Sequence, residues 1–135
     1  MNSIAEKIEP NEDRDHTAEP WEGQLRKGSL EMAILATLWK KRLYGLEILR
    51  SLNSDSALVV LEGTIYLILN RLKSLGMVES EWVEGGSGHP RKYYRLTHAG
   101  ENRLIRMVEF WCNFSAKLNQ VIAPVLGREE LTHGK

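Results

Sequence analysis

Between Gly85 and Leu96 the chain carries His89, Arg91, Lys92 and Arg95 and no acid at all. Bases packed this densely beside a tight turn can lie along a polyanion and neutralise its phosphates. A second set of polar residues sits upstream: Thr64, Tyr66, Asn70, Arg71, Lys73 and Ser74. Presented by one helix, these could address phosphates and base edges in a major groove. Catalytic chemistry finds no comparable pattern. There is no glycine-rich phosphate loop with a following lysine and no nucleophile elbow. The four histidines, His16, His89, His98 and His133, lack metal-ligand spacing. Gly85-Gly86-Ser87-Gly88 lies between two strand-like runs and does not open a helix, so it is no nucleotide cradle. The expectation is no catalytic residue, no metal and no cofactor. The single cysteine, Cys112, has no basic neighbour to lower its pKa and reads as a buried structural thiol.

The chain that must position these residues has 135 of them, enough for one domain. Hydrophobic residues at 42% and charged residues at 27% match an ordinary soluble globular protein. No apolar run is long enough to span a bilayer, and the N-terminus lacks the basic and apolar regions of a signal peptide. With one cysteine no internal disulfide forms, which agrees with a reducing cytoplasm. The formal net charge of zero hides an asymmetry. Residues 1–24 hold two bases against seven acids, a net −5, so residues 25–135 carry +5. An acidic leader in front of a mildly basic body is compatible with a polyanion partner.

Residues 1–24 contain Pro10 and Pro20 and no sustained apolar period, so they read as an acidic, disordered extension. Within it, Trp21 and the nearby Leu25 suggest a docked end. Ser29 can cap a first helix, with Glu31 in its first turn. Leu30, Ile34 and Leu38, with Leu35 beside them, give that helix one buried stripe, and Lys40-Lys41-Arg42 ends it. Tyr44-Gly45 turns the chain into a shorter helix marked by Leu46, Ile48, Leu49 and Leu52. Asn53 to Ser56 is a break, and Ala57 to Leu61 is a turn or a stub of strand. A third helix is expected from Thr64 to Leu75, with Gly76 as its C′ residue. Ile65, Ile68, Leu69, Leu72 and Leu75 share one side; Tyr66, Asn70 and Ser74 share the other, flanked by Leu67, Arg71 and Lys73.

Met77 to Val83 suits a strand, the glycines and proline of residues 84–90 a turn, and Arg91 to Leu96 the returning strand. Helix, helix, helix, hairpin is the order of a winged helix-turn-helix domain, here over residues 25–97. Thr97 opens a last helix over residues 98–125, reaching at least Val121 before Pro124, with a tail at 126–135. Along it Leu104, Val108, Trp111, Ser115, Leu118, Ile122 and Val125 are spaced 4-3-4-3-4-3, and Met107, Phe114 and Val121 widen the stripe. A 3.5-residue period is the mark of helix pairing. No earlier helix is expected to be long enough to cover it, so a second copy of the chain is the expected partner.

At this point particular residues carry a likeness. Tyr44-Gly45, Glu62-Gly63-Thr64-Ile65-Tyr66, Leu69-Asn70-Arg71-Leu72 with Gly76, and Gly88-His89-Pro90-Arg91-Lys92-Tyr93-Tyr94-Arg95-Leu96-Thr97 with Gly100 resemble the PadR family of bacterial transcriptional regulators. The match covers about residues 25–125, and the G-x-P-R-K-Y-Y-x-L-T stretch after a G-T-x-Y helix is specific. The resemblance implies a homodimeric winged-helix repressor of operator DNA. It also implies the smaller subfamily, whose one C-terminal helix is the dimer arm. Some members bind planar hydrophobic ligands at that interface, and Trp111 matches a ligand-stacking tryptophan of multidrug-binding relatives. Phe110, Trp111 and Phe114 are therefore the residues for such an effector, with plain core packing as the other reading. Two positions depart from the family: Leu67 stands where proline is usual, and Lys73 where glutamate is frequent. Leu67 on the groove side leaves open an alternative, a winged-helix module that binds a ligand or protein and no longer reads DNA.

Overall fold

Ile34, Leu35 and Leu38 have almost no exposed surface, and Leu30 is buried with them at the start of the packed stripe. They belong to α1 (Asn2–Thr37) and the turn that follows it. The structure is a computed structural model that describes residues 2–54, 58, 60–86 and 88–128, with side chains from residue 20 onward. After α1 come β1 (Leu43–Tyr44), α2 (Gly45–Leu52), α3 (Glu62–Ser74), β2 (Val78–Val83), β3 (Arg91–Leu96) and α4 (His98–Leu126). The architecture is mainly helical with a small sheet, in the winged helix-turn-helix order that the sequence predicts.

One buried cluster ties these elements together. Leu30, Ile34, Leu35 and Leu38 meet Ile48 and Leu52 of α2, and Ile65, Leu69 and Leu72 of α3. Val78, Tyr94 and Leu104 close it from the sheet and from α4. Burying side chains of this size stabilises by about 1.5–3 kcal/mol each before entropy is counted. The loop into α3 is clamped by Asn53, whose amide donates to the Val60 carbonyl at 3.0 Å and accepts from the Val60 N–H at 2.8 Å. Gly76 takes φ +78°, the left-handed turn that glycine adopts at no cost, and this stops α3 as predicted. Thr97 then caps α4, accepting from the Gly100 N–H at 3.0 Å while donating to the Gly76 carbonyl at 2.6 Å. The same threonine therefore fixes the end of α3 against the start of α4.

Several boundaries differ from the sequence reading. Helical backbone starts at Asn2, where the sequence predicts an irregular extension and a start at Ser29. The Ser29 hydroxyl is no cap: it donates to the Leu25 carbonyl one turn back, at 2.9 Å. Ala18, Glu22, Gln24, Leu25 and Arg26 are good helix formers, and Glu22 and Arg26 pair at 3.6 Å across one turn. Residues 20–28 are all exposed, Trp21 among them, so packing begins only where the apolar period begins. At its other end α1 stops at Thr37 and not at Lys40-Lys41-Arg42. The Thr37 hydroxyl bonds the Ile34 carbonyl at 2.7 Å, and Lys40 turns the chain with φ +60°.

That turn delivers Leu43 and Tyr44 to the free edge of β3, opposite Tyr94 and Tyr93, and the sheet order is β1-β3-β2. The sequence reads Tyr44-Gly45 as a turn alone and misses this strand, which at two residues leaves no period to detect. The hairpin pairs Val78 with Leu96 and Val83 with Arg91. Leu75 is exposed where the sequence places it inside: as the C-cap of α3 it keeps helical backbone, but at 100° per residue it falls at the edge of the face formed by Ile65, Leu69 and Leu72. Pro124 lies inside α4, which runs on to Leu126; it forfeits one backbone bond, and so near the C-terminus only the last turn is affected. The break and strand stub read over residues 53–61 lie partly, at 55–57 and 59, outside the described residues, as does the tail from 129 on.

Candidate nucleic-acid interface

The pleat of the hairpin sorts its side chains. Tyr94 is buried, and Trp82 and Lys92, directly opposite each other, share its face. Arg91, Tyr93 and Arg95 share the other face with Tyr44. On the first face Lys92 lies 5.7 Å from the Trp82 ring and 5.9 Å from the Tyr94 ring. On the second, Arg91 stacks 4.5 Å over Tyr44, Tyr44 meets Tyr93 edge-on at 5.4 Å, and Arg42 lies 4.8 Å over Tyr93. Aromatic faces restrict both hairpin cations without neutralising them. Burial, with the neighbouring Tyr66 hydroxyl second, pushes the Tyr94 hydroxyl above its ordinary pKa.

Against this hairpin lies the outer side of α3. Tyr66 crosses the start of α2, and the reason is Gly45: a Cβ there would stand 2.6 Å from the Tyr66 Cζ. Glycine alone lets the two helices approach with the tyrosine between them. Glu47, three residues into α2, accepts from the Tyr44 N–H at 3.1 Å and so fixes the same corner. The result is an open cleft of about 400 Å³ lined by Tyr44, Gly45, Tyr66, Asn70, Trp82, Arg91, Lys92 and Tyr94. Four residues singled out in the sequence, Tyr66, Asn70, Arg91 and Lys92, meet there.

The other six are placed differently. Thr64 is half-buried at the start of α3, while Lys73, Ser74 and the hairpin's His89 are exposed outside the cleft. Arg71 is turned toward α1, where it pairs with Glu31 at 3.1 Å, and Arg103 shares the same carboxylate at 3.4 Å. Arg95 pairs with Glu79 directly across the strands at 2.6 Å, and this hydrogen bond raises its pKa further. Neither arginine is a free cation in this structure. Tyr44, Gly45, Trp82 and Tyr94 are the cleft residues that the sequence did not single out for the site. Counting back across the hairpin turn puts Trp82 opposite Lys92, a signal that was available; Tyr44 depends on the unforeseen β1.

A second, apolar region runs along α4. Leu104, expected in an interface between two copies, is 4% exposed and belongs to this chain's own core. The physical reason is the packed part of α1 from Leu30 onward, whose Glu31 pairs with Arg103 beside Leu104; this stretch covers the first turns of α4, contrary to the expectation that no earlier helix could. Beyond Leu104 the stripe is uncovered: Val108, Trp111, Leu118, Ile122 and Val125 are exposed and Ser115 is half-buried. Cys112 is exposed too, against the expectation of a buried thiol, since its side of α4 packs on nothing described. Between α1 and α4 opens a groove of about 460 Å³ whose lining includes Leu25, Met32, Met107, Phe110, Trp111 and Phe114, with Arg103 and Arg106 alongside. Phe110 stacks on Phe114 at 5.6 Å, and Trp111 lies 6.2 Å from Phe114. The three aromatic residues expected to hold an effector thus line one groove. Among the described residues no helix is long and apolar enough to cross a membrane, and no cluster of His, Cys, Asp or Glu could hold a metal ion.

Comparison with known proteins bears on the whole arrangement. The sequence profile of the transcriptional regulator PadR-like family matches residues 34–106, from the core of α1 into the first turns of α4. A PadR family transcriptional regulator from Eggerthella lenta superposes with a TM-score of 0.70 at 32% identity, covering 82% of this chain and 96% of that one. A PadR-like transcription factor from Bacteroides fragilis is 38% identical, with a TM-score of 0.62 over 76% of this chain and 98% of its own. Bacillus subtilis PadR, solved in complex with operator DNA, is similar at 26% identity and a TM-score of 0.54. That match covers 58% of this chain and 46% of the longer PadR. Family and fold alike are those of transcriptional regulators.

Proposed function

The chain belongs to the transcriptional regulator PadR-like family, and from that premise we propose that it is a homodimer that binds operator DNA sequence-specifically and represses transcription in the cytoplasm. The observation that carries this reading is the single cleft where Tyr66 and Asn70 of α3 meet Arg91 and Lys92 of the hairpin. A groove-reading helix beside a cationic hairpin is what duplex recognition needs: base edges on one side, phosphates on the other. That the similar Bacillus subtilis PadR was solved in complex with operator DNA supports a DNA partner for this chain. In the mechanism, the α3 helices of two copies enter successive major grooves about 34 Å apart, and the hairpins hold the flanking backbone. Asn70 can pair with adenine through both amide atoms. Thr64, Lys73, Ser74 and His89 supply further contacts, and Arg71 and Arg95 join them by exchanging a carboxylate for a phosphate.

Dimerisation is supported by the apolar stripe from Val108 to Val125, which a second α4 at 3.5-residue spacing would cover. Footprinting on the DNA upstream of the protein's own gene tests the reading. Two protected half-sites about one helical turn apart are expected. No protection, from a protein that still binds hydrophobic compounds, would favour the rival, a winged-helix module that has lost DNA.

The groove beside Phe110, Trp111 and Phe114 favours one addition, a planar hydrophobic effector that shifts the spacing of the α3 pair. Its influence equals its difference in affinity for the free and DNA-bound geometries. Titration with planar dyes should quench tryptophan emission in the wild type and much less in Trp111→Phe. Equal quenching in both would make the groove plain packing.

A further inference from the structure

The residues of α3 farthest from the core are not all polar. Ile65, Leu69 and Leu72 are its buried residues. Straight across the helix from them runs the line Gly63, Leu67, Asn70 and Ser74, spaced 4, 3 and 4. Leu67 is 72% exposed. A side chain built onto Gly63 would meet nothing within 4 Å, so the leucine also stands clear on its N-terminal side. Its methyl groups stay in water, and it gains nothing from the fold in that place. The line is too narrow for a protein-docking patch, which needs a contiguous apolar area of several hundred Å². Here one leucine is flanked by a glycine, an amide and a hydroxyl.

Resting on the DNA-binding reading above, we propose that Leu67 determines specificity by reading the 5-methyl group of a thymine in the major groove. Among the base edges of that groove, thymine alone offers an apolar group; every other feature is a hydrogen-bond donor or acceptor. Asn70 fixes where the thymine lies. Residues three apart on a helix have Cβ atoms about 5–6 Å apart, and bases on one strand rise about 3.4 Å per step. Leu67 therefore reaches a base pair one or two steps from the adenine that Asn70 reads. Arg91 and Lys92 line the same cleft as Asn70, so the backbone they hold sets this line of α3 against a groove floor.

The test uses the full-length protein, its Leu67→Ala and Leu67→Met variants, and the footprinted operator with each thymine replaced in turn by deoxyuridine. That replacement deletes the methyl group and leaves every pairing atom in place. At one thymine in each half-site the wild type is expected to lose about fourfold in affinity, the worth of one buried methyl group. Leu67→Met keeps that penalty, whereas Leu67→Ala binds thymine and deoxyuridine alike. Equal melting temperatures for all three proteins are expected, because the position is exposed. If deoxyuridine weakens wild type and Leu67→Ala equally at every thymine, or weakens neither at any, the inference fails while specific binding stands. If the wild type protects no operator, the DNA-binding reading fails first and takes this inference with it.

Discussion

The α3–hairpin cleft and the α1–α4 groove are both open, and they are built from opposite materials. The cleft sets Asn70, Arg91 and Lys92 among tyrosines, a tryptophan and a glycine, over the packed core. The groove is walled by Leu25, Met32, Met107, Phe110, Trp111 and Phe114, and it continues into the bare stripe of α4. Cations that keep their charge on aromatic faces attract a polyanion at a cost in salt sensitivity. Apolar walls attract another apolar surface, with little response to salt. The two faces thus call for different partners, and each can be damaged without the other.

Leu118→Asp is expected to give the largest effect and to strike one face alone. Leu118 is 43% exposed in the single chain, so the monomer keeps its fold. In a pair of helices the aspartate would be buried without a partner, at a cost of several kcal/mol. Sedimentation should show a dimer for the wild type and a monomer for the variant, with operator affinity falling because two half-sites are no longer linked. A dimer that survives would move the interface off this stripe.

Arg91→Ala with Lys92→Ala strikes the other face. Binding to all DNA should weaken to a similar degree, and the slope of log affinity against log salt should flatten by about 0.9 for each phosphate that is no longer neutralised. Dimerisation should stay as it was. An unchanged slope would mean that the hairpin does not touch the backbone. Gly45→Ala is the smallest change and sharpens the comparison from within the cleft. The new methyl would drive into the Tyr66 ring and force it aside, at about 1–3 kcal/mol of stability as in other overpacked sites. Thermal melting reads that loss. Gly45→Ala with Tyr66→Ala should recover most of it; failure to recover would mean the strain lies in the backbone.

The same contrast explains how far the sequence could be read. Period and turn chemistry are local, and they marked α2, α3, the hairpin and Thr97 to within a residue or two. The position of Tyr66 against Gly45 is a tertiary fact, which no spacing announces although both residues stood in recognisable motifs. Charge was the weakest guide. Arg71 and Arg95 looked like equals of Arg91, yet Glu31 and Glu79 hold them because α1 and β2 happen to bring carboxylates within reach. Leu104 obeyed the 3.5-residue period perfectly and still faces its own core, since a period gives a face and not the identity of what covers it. The helical backbone before Ser29 went unread because Pro10 and Pro20 outweighed good helix formers around them.

Selection of binding sites from randomised duplex DNA by the full-length protein, compared with Asn70→Ala and with the Arg91/Lys92 double variant, tests the central claim most directly. The account predicts that the wild type selects an inverted repeat with half-sites about one helical turn apart. Asn70→Ala should still bind but lose preference at one base pair in each half-site, a discrimination of about 1–3 kcal/mol. The double variant should select the same repeat with lower affinity. Recovery of unselected sequence by the wild type, or identical preferences in the wild type and Asn70→Ala, would contradict the assignment of α3 as the reading element.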